Sequence, residues 1–423
     1  MGLSSLASVL LGLAALYVLR QLLSPRQNLA PLPPGPKGKP LIGNLGDLPP
    51  PGKKDWEHWA MFKELYAPLP SSAKRSSFSM TPKSQMAFDL MEKRSAIYSS
   101  RPHMVFAGEM VGWKDILSMQ TYSDRFRSYR KVMHQVLGSK TTVTRFNPLQ
   151  EVEIRRFLLR VLHHPEDLVQ HIRTEAGAVI LKIAYGYAVE PHGREPLVDL
   201  VNDSMEKFSI AGMPGMWLVD TMEKFQFYYW MSLTCDLVKQ LPTWFPGMGF
   251  KKTANVWRRT LLTTIEKPYL LVRRQMRRGN YSPSCLASLL EGVSDKWELI
   301  AKWAAGSLYT GGADTTVSAL SCFFLAMGLY QDVQRKAQEE INRILGPNKI
   351  PSYTDHENLP YIDALVKETL RWHPVAPMVI PHMCTQDDIY KGYRIPKGSL
   401  IMPNIWYSPP PLLPFRNAPR NHH

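Results

Sequence analysis

The sequence predicts a mainly α-helical fold, preceded by one N-terminal transmembrane helix. Two long stretches, 295–330 and 361–373, repeat apolar residues at helical spacing, and Pro374 ends the second of them. Residues 3–19 carry no charged side chain and, with the leucines at 22 and 23, are long enough to cross roughly 30 Å of bilayer as a helix. Apolar residues make up 44% of the 423 positions, which is ample for a large core.

The charges that follow the N-terminal apolar run predict its orientation. Four basic residues, from Arg20 to Lys39, come after the run and none comes before it. Positive charge favours the cytosolic side of a membrane, so the rest of the chain is expected in the cytosol. No small-residue cleavage site follows the run, which favours an anchor over a cleaved signal. Residues 1–23 are therefore predicted to be the membrane anchor, and residues 24–52 a stiff proline-rich hinge.

Composition narrows the possible partners. The formal net charge is +15, which fits a solvated basic surface, contact with an anionic membrane, or an acidic redox partner. No segment resembles a nucleic-acid-binding module, so no nucleic acid is expected. The four cysteines show neither C-x-x-C spacing nor the framework of a secreted disulfide protein. A reducing, cytosol-facing environment follows.

The stretch 304–316 interrupts the longest helix with a pair of adjacent glycines. Gly311 and Gly312 each cost about 1 kcal/mol relative to alanine inside a helix, and they allow a flat ligand to approach the backbone. Thr315 can bond back to a carbonyl one turn earlier and bend the helix. The result is a groove bordered by this hydroxyl and by the carboxylate of Asp314. Glycines that serve only helix packing would explain the same pair, and this stretch alone leaves both interpretations open.

A second motif lies about fifty residues downstream. Glu368 and Arg371 are three residues apart, so they share one helix face and can pair. Their helix is otherwise apolar, which predicts that the pair is partly or wholly buried.

The two stretches together resemble the I and K helices of the cytochrome P-450 family, the haem-thiolate monooxygenases. The match includes Leu-Pro-Tyr at 359–361 and Gly-Tyr-x-Ile-Pro-x-Gly at 392–398. Residues 122–131 are similar to the family's C helix, with Arg130 at the position of its arginine and Phe126 in place of the usual tryptophan.

The resemblance runs from about Leu3 to Trp406 and implies a mainly α fold with a small β-sheet region. It makes 53–406 a catalytic domain, incomplete at its C-terminus, and leaves 407–423 as a proline-rich tail outside the family pattern. Two segments, 68–85 and 221–236, depart from the pattern. Residues 68–79 have loop composition where strands are expected, and residues 221–236 look like either an insertion or an unspliced intron. Further helices are expected at 55–66, 148–210 and 331–345.

The resemblance also assigns roles to the motif residues. Asp314 and Thr315 are the expected catalytic residues, which hold a water that delivers a proton during oxygen activation. Gly311 and Gly312 are expected to lie against haem b.

Two further sites complete the expected haem environment. Arg130 is expected to hold a haem propionate through a charge-assisted bond, without help from Phe126, which has no N–H group. Glu368 and Arg371 are expected to be structural.

The function implied is haem-dependent hydroxylation or oxidation of a hydrophobic small molecule. Electrons are expected from NADPH through a partner reductase, with the protein held in the endoplasmic reticulum membrane by a single span and in contact with lipid. Residues 367–377 are similar to fungal microsomal members of secondary metabolism, such as terpenoid or polyketide biosynthesis. Substrate is expected at 102–113, 210–216, 307–315 and 375–380.

One family feature is missing from the sequence. After Trp406 the family has a Phe-x-x-Gly-x-Arg-x-Cys-x-Gly loop, whose cysteine is the axial iron ligand. None of Cys235, Cys285, Cys322 and Cys384 stands in that context, so no metal ligand is assigned and this chain is expected to bind no thiolate-ligated haem. The alternative hypothesis is therefore a catalytically inactive, membrane-anchored remnant or binding protein.

Overall fold

The computed structural model describes residues 30–37, 44–50, 53–66, 71–72, 78–81, 84–190, 195–213, 216–217, 219–220, 241–291 and 294–407. The predicted anchor, the 221–236 segment and nearly all of the predicted tail lie outside these residues. Within them the chain is mainly helical with small sheets, as the sequence predicts.

The helices predicted at 55–66, 148–210, 295–330, 331–345 and 361–373 are present close to those positions, whereas others, such as the helix at 249–277, were not predicted. The helices are α1 (Asp55–Tyr66), α2 (Ser84–Phe88), α3 (Ser95–Tyr98), α4 (Asp124–Leu137), α5 (Lys140–Thr144), α6 (Asn147–His163), α7 (Leu168–Tyr185), α8 (Pro196–Ala211), α9 (Gly249–Arg277), α10 (Cys285–Leu290), α11 (Asp295–Leu329), α12 (Gln331–Leu345) and α13 (Pro360–Trp372). Serine side chains begin several of them: the Ser123 hydroxyl accepts a hydrogen bond from the Phe126 amide at the start of α4. Short 3-10 and π-helical turns lie between several of these helices.

Helix α11 is the centre of the fold. It packs against α7, α4, α8, α10 and α13, and its Ala304, Ala305 and Tyr309 are completely buried. The Tyr309 hydroxyl donates to the Leu197 carbonyl at 2.5 Å and ties α11 to the start of α8. In the part of the chain that the structure describes, residues 297–329 form the one helix that is long and apolar enough to cross a membrane. Residues 303–305 and 309–310 of this helix are buried in the core, whereas only 17% of its apolar window is buried.

The strands form a four-stranded sheet and a hairpin. They are β1 (Ser71–Ser72), β2 (Phe78–Thr81), β3 (His382–Met383), β4 (Asp388–Tyr390), β5 (Tyr393–Ile395) and β6 (Leu400–Pro403). The order in the larger sheet is β1-β2-β6-β3, with β2 parallel to β6 in a register that pairs Phe78 with Leu400. The β4–β5 hairpin turns through Lys391 and Gly392, both at positive φ, which suits the right-handed twist of the strands.

The prediction that 68–79 is entirely loop was wrong. Residues 71–72 and 78–79 lie in strands because β6, far away in sequence, provides the hydrogen-bonding partner for β2. A strand that is held by hydrogen bonds to a partner strand does not need an alternating apolar pattern of its own. Cys285, expected in a loop, is the buried first residue of α10.

Candidate functional site

The predicted back-bond in α11 is present. The Thr315 hydroxyl donates to the Gly311 carbonyl at 2.6 Å. One turn earlier Thr310 makes the same contact with the Gly306 carbonyl at 2.9 Å. These bonds place hydroxyl groups along one stretch of the helix, where they compete with the regular backbone ladder. Thr315 is exposed on the helix surface, so its hydroxyl faces space outside the core.

The two glycines of α11 face different surroundings. A Cβ atom added to Gly311 meets no atom within 4 Å, so this face of the helix is open. A Cβ atom on Gly312 comes within 2.7 Å of Ile180 Cδ1 in α7. Gly312 therefore allows α7 and α11 to pack closely, and Gly311 is the glycine whose open face can receive a flat ligand.

Asp314 lies half-buried beside this open face. Burial raises the pKa of its carboxyl above the usual range, and the positive charge of Arg173 partly opposes the shift. A carboxyl with a raised pKa holds its proton more tightly and can return it to a neighbouring acceptor. The Asp314 carboxyl and the Thr315 hydroxyl are consecutive in the helix, and their role in proton delivery stays a prediction.

A pair of half-buried side chains that the sequence analysis missed, Arg101 and His382, lies between α3 and β3. The Arg101 guanidinium donates to the Ile380 carbonyl at 2.5 Å and to the Pro381 carbonyl at 3.1 Å. Burial lowers the pKa of Arg101 to about 10. Burial and the charge of Arg101 lower the pKa of His382 to about 4, and His382 Nδ1 lies 2.7 Å from the Tyr98 carbonyl.

This pair is a suitable site for an anion. Among the residues described, neither Arg101 nor His382 has a carboxylate partner, and both are destabilised in their charged forms by burial. A carboxylate from a ligand would restore the favourable charged state. The Arg-Pro dipeptide at 101–102 and the Pro-His dipeptide at 381–382 are the local signals for this site, but only the fold brings them together.

Arg130 occupies an exposed position on α4. Its guanidinium carbon lies 6.0 Å from the Phe126 ring centroid, which makes a cation–π contact in place of a shared hydrogen bond. The guanidinium keeps its donors available to an anion. The role of Arg130 as a propionate ligand stays a prediction.

The predicted pair in α13 is formed and buried. Arg371 Nε and Nη2 donate to Glu368 Oε2 and Oε1, both at 2.7 Å. The side chain of Glu368 is 0% exposed and that of Arg371 is 15% exposed. This two-point contact is the strongest geometry that an arginine and a carboxylate can adopt.

The described cysteines do not provide an axial thiolate. Cys384 is buried after β3 and its Sγ donates to the Gln386 carbonyl at 2.8 Å, while burial raises the pKa of Cys285 to about 12. Cys322 lies on α11 itself, two turns beyond Thr315 or roughly 10 Å along the axis. Cys235 lies outside the described residues. The open face of Gly311 could receive the ring of haem, and the Arg101 guanidinium and the His382 ring could receive a haem carboxylate. Cys285 and Cys384 are buried, and Cys322 lies on α11, so none of these three described thiols presents a free iron ligand.

Comparison with known proteins identifies the family. The cytochrome P-450 profile matches residues 33–408. The chain is 42% identical to the cytochrome P-450 monooxygenase claR of Ampulloclitocybe clavipes, over 99% of this chain and 74% of the relative. It is 42% identical to the cytochrome P-450 monooxygenase ppsD of Aspergillus oryzae, and 40% identical to the O-methylsterigmatocystin oxidoreductase of Aspergillus flavus. Each of these two alignments covers 95% of this chain and 74% of the relative.

The chain belongs to the cytochrome P-450 family. It is therefore an enzyme of the oxidoreductase class, in a family whose cofactor is haem iron.

Proposed function

We propose that the protein is a haem-dependent monooxygenase that hydroxylates or oxidises a hydrophobic small molecule in fungal secondary metabolism. The fungal origin of the relatives supports this assignment, and one of them is named as an oxidoreductase of O-methylsterigmatocystin. Terpenoid or polyketide scaffolds are the substrate classes that we propose.

The observation that carries the proposal is the stretch from Gly311 to Thr315. It combines an open glycine face, a half-buried carboxyl and a hydroxyl bonded to the Gly311 carbonyl. Haem, when bound, supplies the oxygen chemistry. In this chain Asp314 holds a proton, Thr315 Oγ1 orients a water toward the reacting oxygen, and Gly311 leaves room for the ring.

We propose further that Arg101, His382 and Arg130 hold the two haem carboxylates. Arg101 and His382 are half-buried without an acidic partner among the described residues, and Arg130 is exposed at the surface of α4. Glu368 and Arg371 fix the position of α13 and touch neither substrate nor cofactor in this proposal.

Electrons reach the enzyme from NADPH through a membrane-bound reductase in this proposal, and a single N-terminal span holds the body at the cytosolic face of the endoplasmic reticulum. The uncharged run at 3–19 and the basic residues after it support this topology.

The axial ligand is tested first. We propose that a polypeptide of residues 1–423 gives no absorption band of thiolate-ligated haem when it is reduced in the presence of carbon monoxide. The positions of Cys285, Cys322 and Cys384 support this outcome. The same polypeptide extended with the cysteine-loop segment of the relative claR should gain the band. A thiolate band from the unextended polypeptide would contradict the assignment, whereas its absence from both proteins would favour the alternative of an inactive binding protein.

The catalytic stretch is tested in the extended, haem-loaded protein with a reductase and NADPH. Thr315→Ala should lower product formation on the order of 100-fold while haem content and NADPH consumption stay near their original levels. Thr315→Ser should retain most of the product. Thr316→Ala is the matched control, because Thr316 is the adjacent exposed hydroxyl on the same helix. Equal losses in Thr315→Ala and Thr316→Ala would refute the role of Thr315.

A further inference from the structure

The outer face of α9 carries a row of five basic side chains with apolar or hydroxyl side chains between them. This helix contains eight basic residues and one acidic residue. Positions spaced by three or four residues point to one side of a helix, and here that spacing joins Lys252, Val256, Arg259, Thr263, Lys267, Leu270, Arg274 and Arg277. We call these eight residues the cationic stripe.

The cationic stripe is exposed along its length. All five of its cations are exposed, and Val256 and Leu270 between them are 53% and 44% exposed. From Lys252 to Arg277 the stripe extends about 38 Å along the helix axis. The opposite face of α9 is buried in the core through Ala254, Leu261 and Ile265, so the helix is held with the stripe facing outward.

Neighbouring acidic residues do not neutralise the stripe. Glu266, the acidic residue of α9, pairs with Lys302 of α11 at 2.5 Å. Glu298 of α11 pairs with Arg273 at 3.2 Å. Arg273 is not one of the residues of the stripe. In the described part of the chain the five cations of the stripe therefore have no carboxylate partner.

Large exposed apolar side chains lie at the N-terminal end of the same helix. Trp244 is 77% exposed and Phe245 is 42% exposed, and both come within five residues of the first residue of α9. Tryptophan favours the interface between headgroups and acyl chains of a membrane. Interleaved basic and apolar side chains on one helix face are typical of helices that lie along a lipid surface.

We propose that the cationic stripe lies along an anionic phospholipid surface. Its cations lie along a straight line and do not surround a pocket. This arrangement suits anionic lipid headgroups, which move freely in the membrane and can collect beside each charge. A protein partner is less well matched, because lysine is depleted at the centres of protein interfaces. The proposal concerns the surface of α9 and is independent of the haem chemistry.

The test uses the full chain and two kinds of vesicle, phosphatidylcholine alone and phosphatidylcholine with about 30% phosphatidylserine. Flotation gives the partition coefficient for each, and the quantity of interest is the ratio of the anionic to the neutral value. An apolar anchor contributes to both coefficients and cancels in this ratio. Each cation at the headgroup layer raises partitioning about fivefold, so the ratio should be large and should collapse in 0.5 M salt, where the screening length is about 4 Å.

The stripe variant replaces Lys252, Arg259, Lys267 and Arg274 with glutamine. Its ratio should fall about 600-fold, because each of the four cations contributes about fivefold. The matched control removes the same charge from four exposed positions elsewhere, Arg155, Arg335, Lys336 and Arg343. Its ratio should fall less than about threefold, because charges farther from the lipid than the screening length contribute little to binding.

Two double variants keep the test informative if the variant with four substitutions does not fold. Lys252→Gln with Arg259→Gln, and Lys267→Gln with Arg274→Gln, should each lower the ratio by about tenfold or more. Equal losses in the stripe variant and the matched control would show that net charge alone sets the preference and would overturn the proposal. A full chain with no preference for phosphatidylserine would overturn it as well and would direct attention to an acidic protein partner.

Discussion

Removal of the Glu368 carboxylate is expected to unfold much of the protein. Glu368 is completely buried and accepts two hydrogen bonds from Arg371, each 2.7 Å long. Glu368→Ala leaves the guanidinium of Arg371, only 15% exposed, without that carboxylate. Breaking a buried pair by removing one partner typically costs about 3–5 kcal/mol. A domain has roughly 5–15 kcal/mol of stability in total, so the variant should aggregate or unfold at low denaturant.

The assay is urea unfolding followed by circular dichroism. If the slope is roughly 3 kcal/mol per molar urea, the loss corresponds to a decrease of about 1–2 M in the midpoint. Glu368→Gln keeps the size of the side chain and one acceptor oxygen, so it should lie between the wild type and Glu368→Ala.

A surface pair on α12 provides the matched control. Arg335 and Glu339 are 3.8 Å apart and their side chains are 70% and 67% exposed. Exposed pairs contribute little because water and salt screen them, so Glu339→Ala should leave the midpoint unchanged. A soluble Glu368→Ala variant with the wild-type midpoint would refute the idea that the buried pair holds α13 in place.

Three further predictions follow from buried groups and from the N-terminus. Burial and a neighbouring carboxylate raise the pKa of Glu175 to about 7; the folded state then binds the extra proton, so stability should fall by roughly 3 kcal/mol as the pH rises from about 4.5 to 7. Glu175→Gln should remove this dependence in pH-resolved urea titrations and should exceed wild-type stability at pH 8. Gly312→Ala should lower the melting temperature because its Cβ atom would meet Ile180 Cδ1 at 2.7 Å, whereas Gly311→Ala, with an open face, should not. Deletion of residues 1–30 should release most of the protein from membranes washed with carbonate; full-length protein that washes off would contradict the predicted anchor.

Local contacts of the site could be predicted from the sequence. The bond from Thr315 to Gly311 and the pair of Glu368 with Arg371 each lie within one helix. Helix geometry fixes which residues meet at a separation of three or four, so a periodic apolar pattern is enough to predict them. The same reasoning placed α11, α12 and α13 within a residue or two of their observed ends.

Contacts between distant segments could not be predicted in this way. Arg101 bonds to the carbonyl of Ile380, 279 residues away in sequence, and β2 takes its order from β6. No local sequence pattern predicts such a partner, because strand pairing and the burial of a cation depend on the tertiary fold. The different roles of Gly311 and Gly312 were equally hidden, since they depend on which side of α11 faces Ile180.

The residues best suited to bind a charged ligand are those whose charged forms the protein itself stabilises least. Loss of solvation disfavours the charged forms of Arg101 and His382, and the charge of Arg101 adds to the effect on His382. No acidic side chain among the described residues compensates for it. Glu368 and Arg371 differ, since each satisfies the other within the protein. A ligand that binds only the folded state adds to its stability, and a carboxylate-bearing ligand does so most effectively where a buried cation lacks a partner. If Arg101 and His382 hold a ligand carboxylate, as we propose, ligand binding stabilises the folded state through them, whereas the Glu368–Arg371 pair stabilises the scaffold whether or not a ligand is present.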